Sequence, residues 1–284
     1  MNNLIRWGVY PIIFGSAAAF QLALLDSGRD SWPLSIVVAS VGIALVALVE
    51  RIQPYETSWN HDHEDTIPDI FHAAFSLGFI FASVEVAELL RTILPVASVW
   101  PDQLALWMQV AGAGLIIDFG LWLMHFLSHK NELLWRVHAL HHSSERLYWL
   151  NGEKRHPVSA VLLAAPGTLA AIAMGAPASV IGCWYSIIAV HLAFQHSNID
   201  YSVGPARSFL AVAEIHRWHH KRDYEDAQVN FGEFWMIWDL LFGTFHNTGN
   251  NVRKGEVGMR APMPRSYWRQ IVWPFSRQDR NVSQ

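Results

Sequence analysis

Histidine stands out in this chain by number and by spacing. There are fifteen, and eight of them fall into three tight motifs: His125 and His129 in HFLSH, His138, His141 and His142 in HALHH, and His216, His219 and His220 in HRWHH. Positions i, i+3 and i+4 of a helix share a face. The spacing therefore predicts three imidazoles pointing one way from each HxxHH and two from the HxxxH. Eight converging nitrogen donors exceed what one metal ion uses, so two ions are expected. Imidazole suits iron, zinc, copper or nickel. No HExxH occurs, which argues against a zinc protease. The lone Cys183 excludes an intramolecular disulfide framework and any thiolate zinc or iron–sulfur site.

The elements that must hold these histidines read as membrane helices. Hydrophobic residues make up 52% of the 284 and charged residues only 15%, against roughly 25% charged in ordinary globular chains. Fourteen Trp and fifteen Phe suit aromatic belts at a membrane interface. A net charge of −4 argues against a nucleic-acid partner, which would need a basic surface. Four apolar stretches, Gly8 to Leu25, Pro33 to Val49, Ile70 to Leu94 and Leu104 to Met124, each approach the length needed to cross a bilayer core of about 30 Å. A later pair, Val158 to Met174 and Pro177 to Phe194, is joined only by Gly175 and Ala176 and must form a hairpin. The expected fold is an all-α integral membrane protein: four transmembrane helices in residues 1–124, a helical hairpin, and a cytoplasmic histidine-rich helical cap. With the N-terminus inside, only Arg29 and Arg91 lie outside, in agreement with the positive-inside rule. All three histidine motifs then meet on the cytoplasmic face. Residues 247–284 read as a polar cytoplasmic tail, with Trp268, Trp273 and Phe275 resting on the membrane surface.

The order HxxxH, HxxHH, HxxHH resembles the fatty acid hydroxylase/sterol desaturase superfamily of membrane-bound di-iron enzymes. The resemblance covers roughly residues 118–246, the expected catalytic region. Asp118 lies seven residues before His125, as in the family's D-x6-H pattern. HHSSE at His141 to Glu145 is similar to alkylglycerol monooxygenases, and RHP at Arg155 to Pro157 to sterol C4-methyl oxidases. HSNID at His196 to Asp200, NFG at Asn230 to Gly232 and WDLLFGTF at Trp238 to Phe245 match the rest of the region.

The resemblance implies an oxidoreductase that hydroxylates a C–H bond of a lipid, whether sterol, ether lipid, amino lipid, carotenoid or fatty acyl chain. It would use two iron ions, O2 and external electrons. The implied ligands are His125, His129, His138, His141, His142, His216, His219 and His220, with His196 as a ninth and His156 as a tenth. Asp118, an acid within a membrane span, is a functional hypothesis by default; its expected task is to accept the N–H of a ligating imidazole. His191, His61, His63 and His72 read as structural, and His246 as a surface residue or a hydrogen-bond partner of a ligand. No Rossmann, haem or flavin motif is evident, so a separate reductase, ferredoxin or cytochrome is expected to supply electrons. Lys130, Arg136, Arg146, Lys154, Arg155 and Arg222 are candidates to dock it. The location implied is a multi-pass membrane protein, bacterial inner membrane rather than endoplasmic reticulum. Desaturation on the same iron site is the alternative within enzymes, and histidine-rich metal transport the alternative outside them.

Overall fold

The computed structural model describes residues 3–28, 32–93, 99–248 and 252–276. Ten α-helices are formed among them: α1 Asn3–Asp26, α2 Trp32–Ile52, α3 Thr66–Ile93, α4 Leu106–Lys130, α5 Glu132–His142, α6 Pro157–Ala173, α7 Ala178–His196, α8 Ala213–His219, α9 Ile237–Phe242 and α10 Tyr267–Val272. The described residues contain isolated β-bridges and no strand. The protein is an all-helical integral membrane protein. Four helices, α1, α2, α4 and α7, are long and apolar enough to cross a membrane.

This set differs from the expected one. The third expected span forms as α3, which starts earlier, at Thr66, and carries Asp69, Glu85 and Arg91; its expected end at Leu94 lies outside the described residues. The fourth runs past Met124 to Lys130, so His125 and His129 sit on the spanning helix itself. The later pair does form two helices, but they are unequal: α6 is a shorter apolar helix and α7 is long enough to span.

Burial explains the arrangement. α7 is the central post: every residue but Ser179 is buried, and α1, α2, α3 and α4 all pack on it. Its outward neighbours expose large apolar side chains such as Ile12, Phe20, Val37, Val41 and Leu48. In lipid such exposure costs nothing, because acyl chains are as apolar as the side chains. α4 and α6 approach most closely through two glycines. A Cβ on Gly120 would lie 2.4 Å from Gly167 N, and one on Gly167 would lie 2.5 Å from Ile117 O. Small residues at such a crossing allow backbone contact between membrane helices.

The two ends of the bundle differ. At one end Arg91 donates to Ala176 O, 2.8 Å away, between the end of α3 and the α6–α7 turn. At the other end lie His125, His129 and His196 with the short helices α5 and α8. Asn131 makes the corner there. It ends α4, and its Oδ1 accepts Leu133 N and Leu134 N, capping α5. A one-residue turn thereby lays α5 back over the end of α4. α8 is held by Arg217, whose Nη2 donates to Ser197 O and Ile199 O just past the end of α7. The Tyr201 hydroxyl accepts from Ala213 N in the first turn of α8.

The expected tail is more structured than its polarity suggests. Val252 and Val257 join a buried cluster with Trp59 and Leu147, Gly258 N donates to His220 O, and α10 packs on α3 through Gln270 and His72. Trp268 and Phe275 are exposed. Residues 277–284 of that tail lie outside the described set.

Candidate metal centre

Nine histidines gather into two buried groups. One holds His125, His129, His138, His142 and His219; the other holds His141, His196, His216 and His220. Within each group, one nitrogen per residue lies within 4.8 Å of every other. Each HxxHH motif is divided between the groups, which departs from the expectation of three imidazoles converging on one face. From α5, the i, i+4 pair His138 and His142 enters the five-membered group while His141 enters the four-membered one. From α8 the division is reversed: His216 and His220 go to the four-membered group and His219 to the five-membered one. The His142 and His220 rings stack with centroids 4.5 Å apart, joining the two groups.

Hydrogen bonds fix the tautomers at the centre. His125 Nδ1 is 2.8 Å from Phe231 O, and His219 Nδ1 is 2.8 Å from Val229 O. A carbonyl only accepts, so both Nδ1 atoms carry the proton. Neutral rings then present bare lone pairs at Nε2, yet these two Nε2 atoms face each other at 2.8 Å. His196 and His216 also bring their Nε2 atoms to 2.9 Å, but His216 Nδ1 has no partner, so its proton can sit on Nε2 and this pair can share an ordinary hydrogen bond. There His196 Nδ1 donates to Asn151 Oδ1 at 3.2 Å, and the Asn151 amide is oriented by Nδ2 donating to Arg146 O. Opposed lone pairs at such distances repel unless a cation lies between them. Two nitrogens bound cis at about 2.1 Å to one ion would be about 3 Å apart. The donor set fits two imidazole-ligated ions.

Electrostatics favour the same form. Burial, and then the neighbouring rings, hold His138, His141, His142, His216 and His220 well below the ordinary imidazole range. His219 is lowered by burial and by His125. These six rings are therefore neutral near pH 7, as metal ligands must be.

His156 does not join either group. It caps α6, its Nδ1 accepting from Val158 N at 3.2 Å, and its Nε2 donates to Ile271 O at 3.0 Å. Both ring nitrogens are committed, which leaves no lone pair for a metal. Asp118 also departs from expectation. It touches no imidazole; its carboxylate accepts from Phe234 N, Trp235 N and Trp238 Nε1. It thus anchors the loop that carries Phe231 O to His125. Asp239 braces the same loop, accepting from Phe231 N and Gly232 N at 2.9 and 2.8 Å. His191 bonds Tyr10 Oη and Ala211 O within the bundle, away from both groups.

Sequence reasoning missed three residues that touch the site. Asn151 orients His196, Glu233 lies 3.4 Å from His125 Nδ1, and Arg155 pairs with Glu233 at 2.9 Å. Their signals were an acid directly after NFG and an Asn shortly after HHSSE, neither distinctive alone. Three of the six candidate docking cations are buried instead: Arg146 with Asp65 at 2.7 Å, Lys154 with Asp69 at 3.1 Å, and Arg155 with Glu233. In a low-dielectric interior these cations are used to neutralise acids, which removes them from a docking surface.

A narrow, mostly apolar cleft of about 30 Å³ lies between α3, α4, α6 and α7. Phe79, Leu121, Leu163, Tyr185, Ile188 and Leu192 line it together with Glu153, Arg155 and Glu233, and Glu233 is the lining residue that approaches His125.

The chain is similar in sequence to known lipid-oxidising proteins. The fatty acid hydroxylase family model matches residues 110–244. The chain is 32% identical over 252 residues to the ornithine lipid hydroxylase OlsE of Rhizobium tropici, covering 84% of this chain and 74% of that protein. Over 77 residues it is 32% identical to the alkylglycerol monooxygenase of Homo sapiens and 31% to that of Danio rerio, in each case 25% of this chain and 17% of the relative. No solved structure matches the chain.

Proposed function

The chain belongs to the fatty acid hydroxylase family, and from that membership we propose that it hydroxylates a C–H bond of a membrane lipid with two iron ions, O2 and electrons from a separate protein. The observation that carries this reading is the opposed imidazole nitrogens of His125 and His219 in a buried set of nine. The residues that would hold the ions are the five and the four histidines of the two groups. Bound iron would supply the activation of O2, which an unactivated C–H bond requires and which acid–base groups cannot provide.

The chain's own residues do the rest. Phe231 O, Val229 O and Asn151 Oδ1 fix the rings so that Nε2 faces inward. Burial excludes bulk water. One oxygen atom would enter the lipid as a hydroxyl. The other would leave as water, using two electrons and two protons from outside.

Both groups lie at one end of the bundle rather than at successive depths, which speaks against metal transport. The proposed setting is a bacterial inner membrane with the histidine end in the cytoplasm. Arg91 at the opposite end and the basic residues around the histidines support that orientation. The lipid class named by the ornithine lipid hydroxylase relative is the first to test.

Iron-loaded protein in lipid nanodiscs, given a reductant, isotopically heavy O2 and a bacterial lipid extract, should place the heavy oxygen in one lipid class as a new hydroxyl. Labelled water with no labelled lipid would reject hydroxylation, and an unlabelled unsaturated product would indicate desaturation.

A further inference from the structure

His129 belongs to the five-histidine group, and its two ring nitrogens meet different neighbours. Nε2 is 3.0 Å from His142 Nε2. Nδ1 is 3.2 Å from Nε2 of Gln228, a half-buried residue on the loop between α8 and α9. Two other partners orient the Gln228 amide, and each has a single role. Lys130 Nζ only donates, and it meets Oε1 at 2.9 Å. Tyr224 O only accepts, and it takes Nε2 at 3.3 Å. The amide therefore turns its NH2 toward His129, and Nδ1 accepts. The His129 proton then sits on Nε2, in a hydrogen bond to His142.

That tautomer does not ligate through Nε2, because a metal ligand must offer a bare nitrogen. An ion among the five histidines requires the proton on Nδ1: one proton leaves Nε2 for solvent and another is taken up at Nδ1. The Nδ1 proton would face the Gln228 NH2, donor against donor. The amide resolves this by turning over, so that Oε1 accepts from Nδ1, as the outer partner of a ligating imidazole does. Its NH2 then faces the Lys130 ammonium, again donor against donor, and Lys130 has to leave. Lys130 is exposed, and its Nζ already lies 5.4 Å from the Phe126 ring centroid, a second resting place. His196 meets no such contest, since its Nδ1 already faces Asn151 Oδ1.

We infer that Gln228 is a positioning residue whose amide turns over when the five-histidine group takes up an ion, and that Lys130 holds it in the orientation that opposes ligation. This rests on the two-ion reading of the centre. Metal uptake within the group is thereby coupled to release of a lysine at the surface.

The test uses the full-length protein in detergent without oxygen, with iron(II) as the probe. Affinity is read by chelator competition, and Lys130 release by its acylation with a succinimidyl ester, mapped by mass spectrometry against the exposed Lys254. In the unaltered protein iron should speed acylation of Lys130. Lys130→Met should tighten one of the two ions about tenfold, the lower end of what an outer partner of a ligand contributes. Arg136→Met removes a half-buried charge two residues before His138 and should leave affinity near the unaltered value. Gln228→Glu offers oxygen to both His129 and Lys130, so it should tighten the same ion, with iron no longer freeing Lys130. Equal acylation of Lys130 with and without iron overturns the inference without any variant having to fold. Equal gains from Lys130→Met and Arg136→Met also overturn it, since charge alone would explain them, and so does a Gln228→Glu protein that binds iron no tighter. If the switch is seen but iron-loaded protein given O2 and reductant oxidises no lipid, the switch stands and the hydroxylase reading fails.

Discussion

His141 and His219 exchange places. Each is the i+3 residue of an HxxHH motif, and each joins the group whose i, i+4 pair comes from the other's helix. The two groups are therefore interlocked, and neither α5 nor α8 can be displaced without disturbing both. On the proposed reading, this arrangement would hold two ions in one centre.

Single substitutions should then show which group has been emptied. His219→Ala removes a ring from the five-membered group and His141→Ala one from the four-membered group. Each should abolish oxidation and lower bound iron from two toward one per chain, with helical content by circular dichroism unchanged. Retention of both ions and of turnover in either variant would remove that residue from the ligand set.

Asn151→Ala removes the partner of His196 Nδ1, together with the local contacts to Tyr148 N and Arg146 O. It frees the imidazole to rotate and to change tautomer. Losing such a partner typically costs about 10–100-fold in metal affinity or activity. Competition with a chelator should show one ion released early and the other held as in the unaltered protein. Equal loss of both ions would mean that Asn151 supports the fold generally.

Asp118→Asn tests positioning rather than chemistry. The amide keeps one acceptor oxygen where the carboxylate offers two to Phe234 N, Trp235 N and Trp238 Nε1. At least one buried N–H then loses its partner, at a cost of about 1–3 kcal/mol. A lower melting temperature should accompany reduced iron occupancy, and excess iron should restore activity in part. Unchanged melting with lost activity would instead make Asp118 a participant in the reaction.

How much of this was legible in the sequence differs residue by residue. The motif spacing pointed to histidines grouped for two ions, because helical geometry is local and i, i+4 pairs share a face. The splitting of each HxxHH was not legible: it depends on how α5 and α8 cross, and α8 is held by Arg217 contacts to Ser197 and Ile199, distant in sequence. His156 looked like a ligand because its type matched; only the positions of Val158 N and Ile271 O reveal that both its nitrogens are occupied. The spans were visible as apolar runs. The central place of α7 was not, since a helix buried in protein and one facing lipid are equally apolar.

Gly120→Ala should separate α4 from α6. The added Cβ would meet Gly167 N at 2.4 Å, which is backbone and cannot rotate away. Overpacking of this kind costs about 1–3 kcal/mol or more. Because Gly120 lies below His125 on α4, iron occupancy should fall together with melting temperature. Wild-type values for both would show that the helices can part without cost.

Acid should destabilise the metal-free protein. Burial and neighbouring rings hold six imidazoles on α5 and α8 below their ordinary value of 6.5. The unfolded chain then takes up protons first as pH falls. This contribution to stability is complete above about pH 6.5 and declines below it. Melting temperature should drop between about pH 7.5 and 5.5 in the metal-free protein and less in the iron-loaded one. A flat or rising profile would contradict the buried, neutral assignment.

The central claim is that nine histidines hold two iron ions, and metal analysis tests it most directly. Protein purified from iron-replete cells enriched in iron-57 should contain two irons per chain and give the Mössbauer spectrum of a coupled di-iron centre. Zinc in place of iron, a haem spectrum, or no bound metal would contradict the account and remove the basis for lipid hydroxylation.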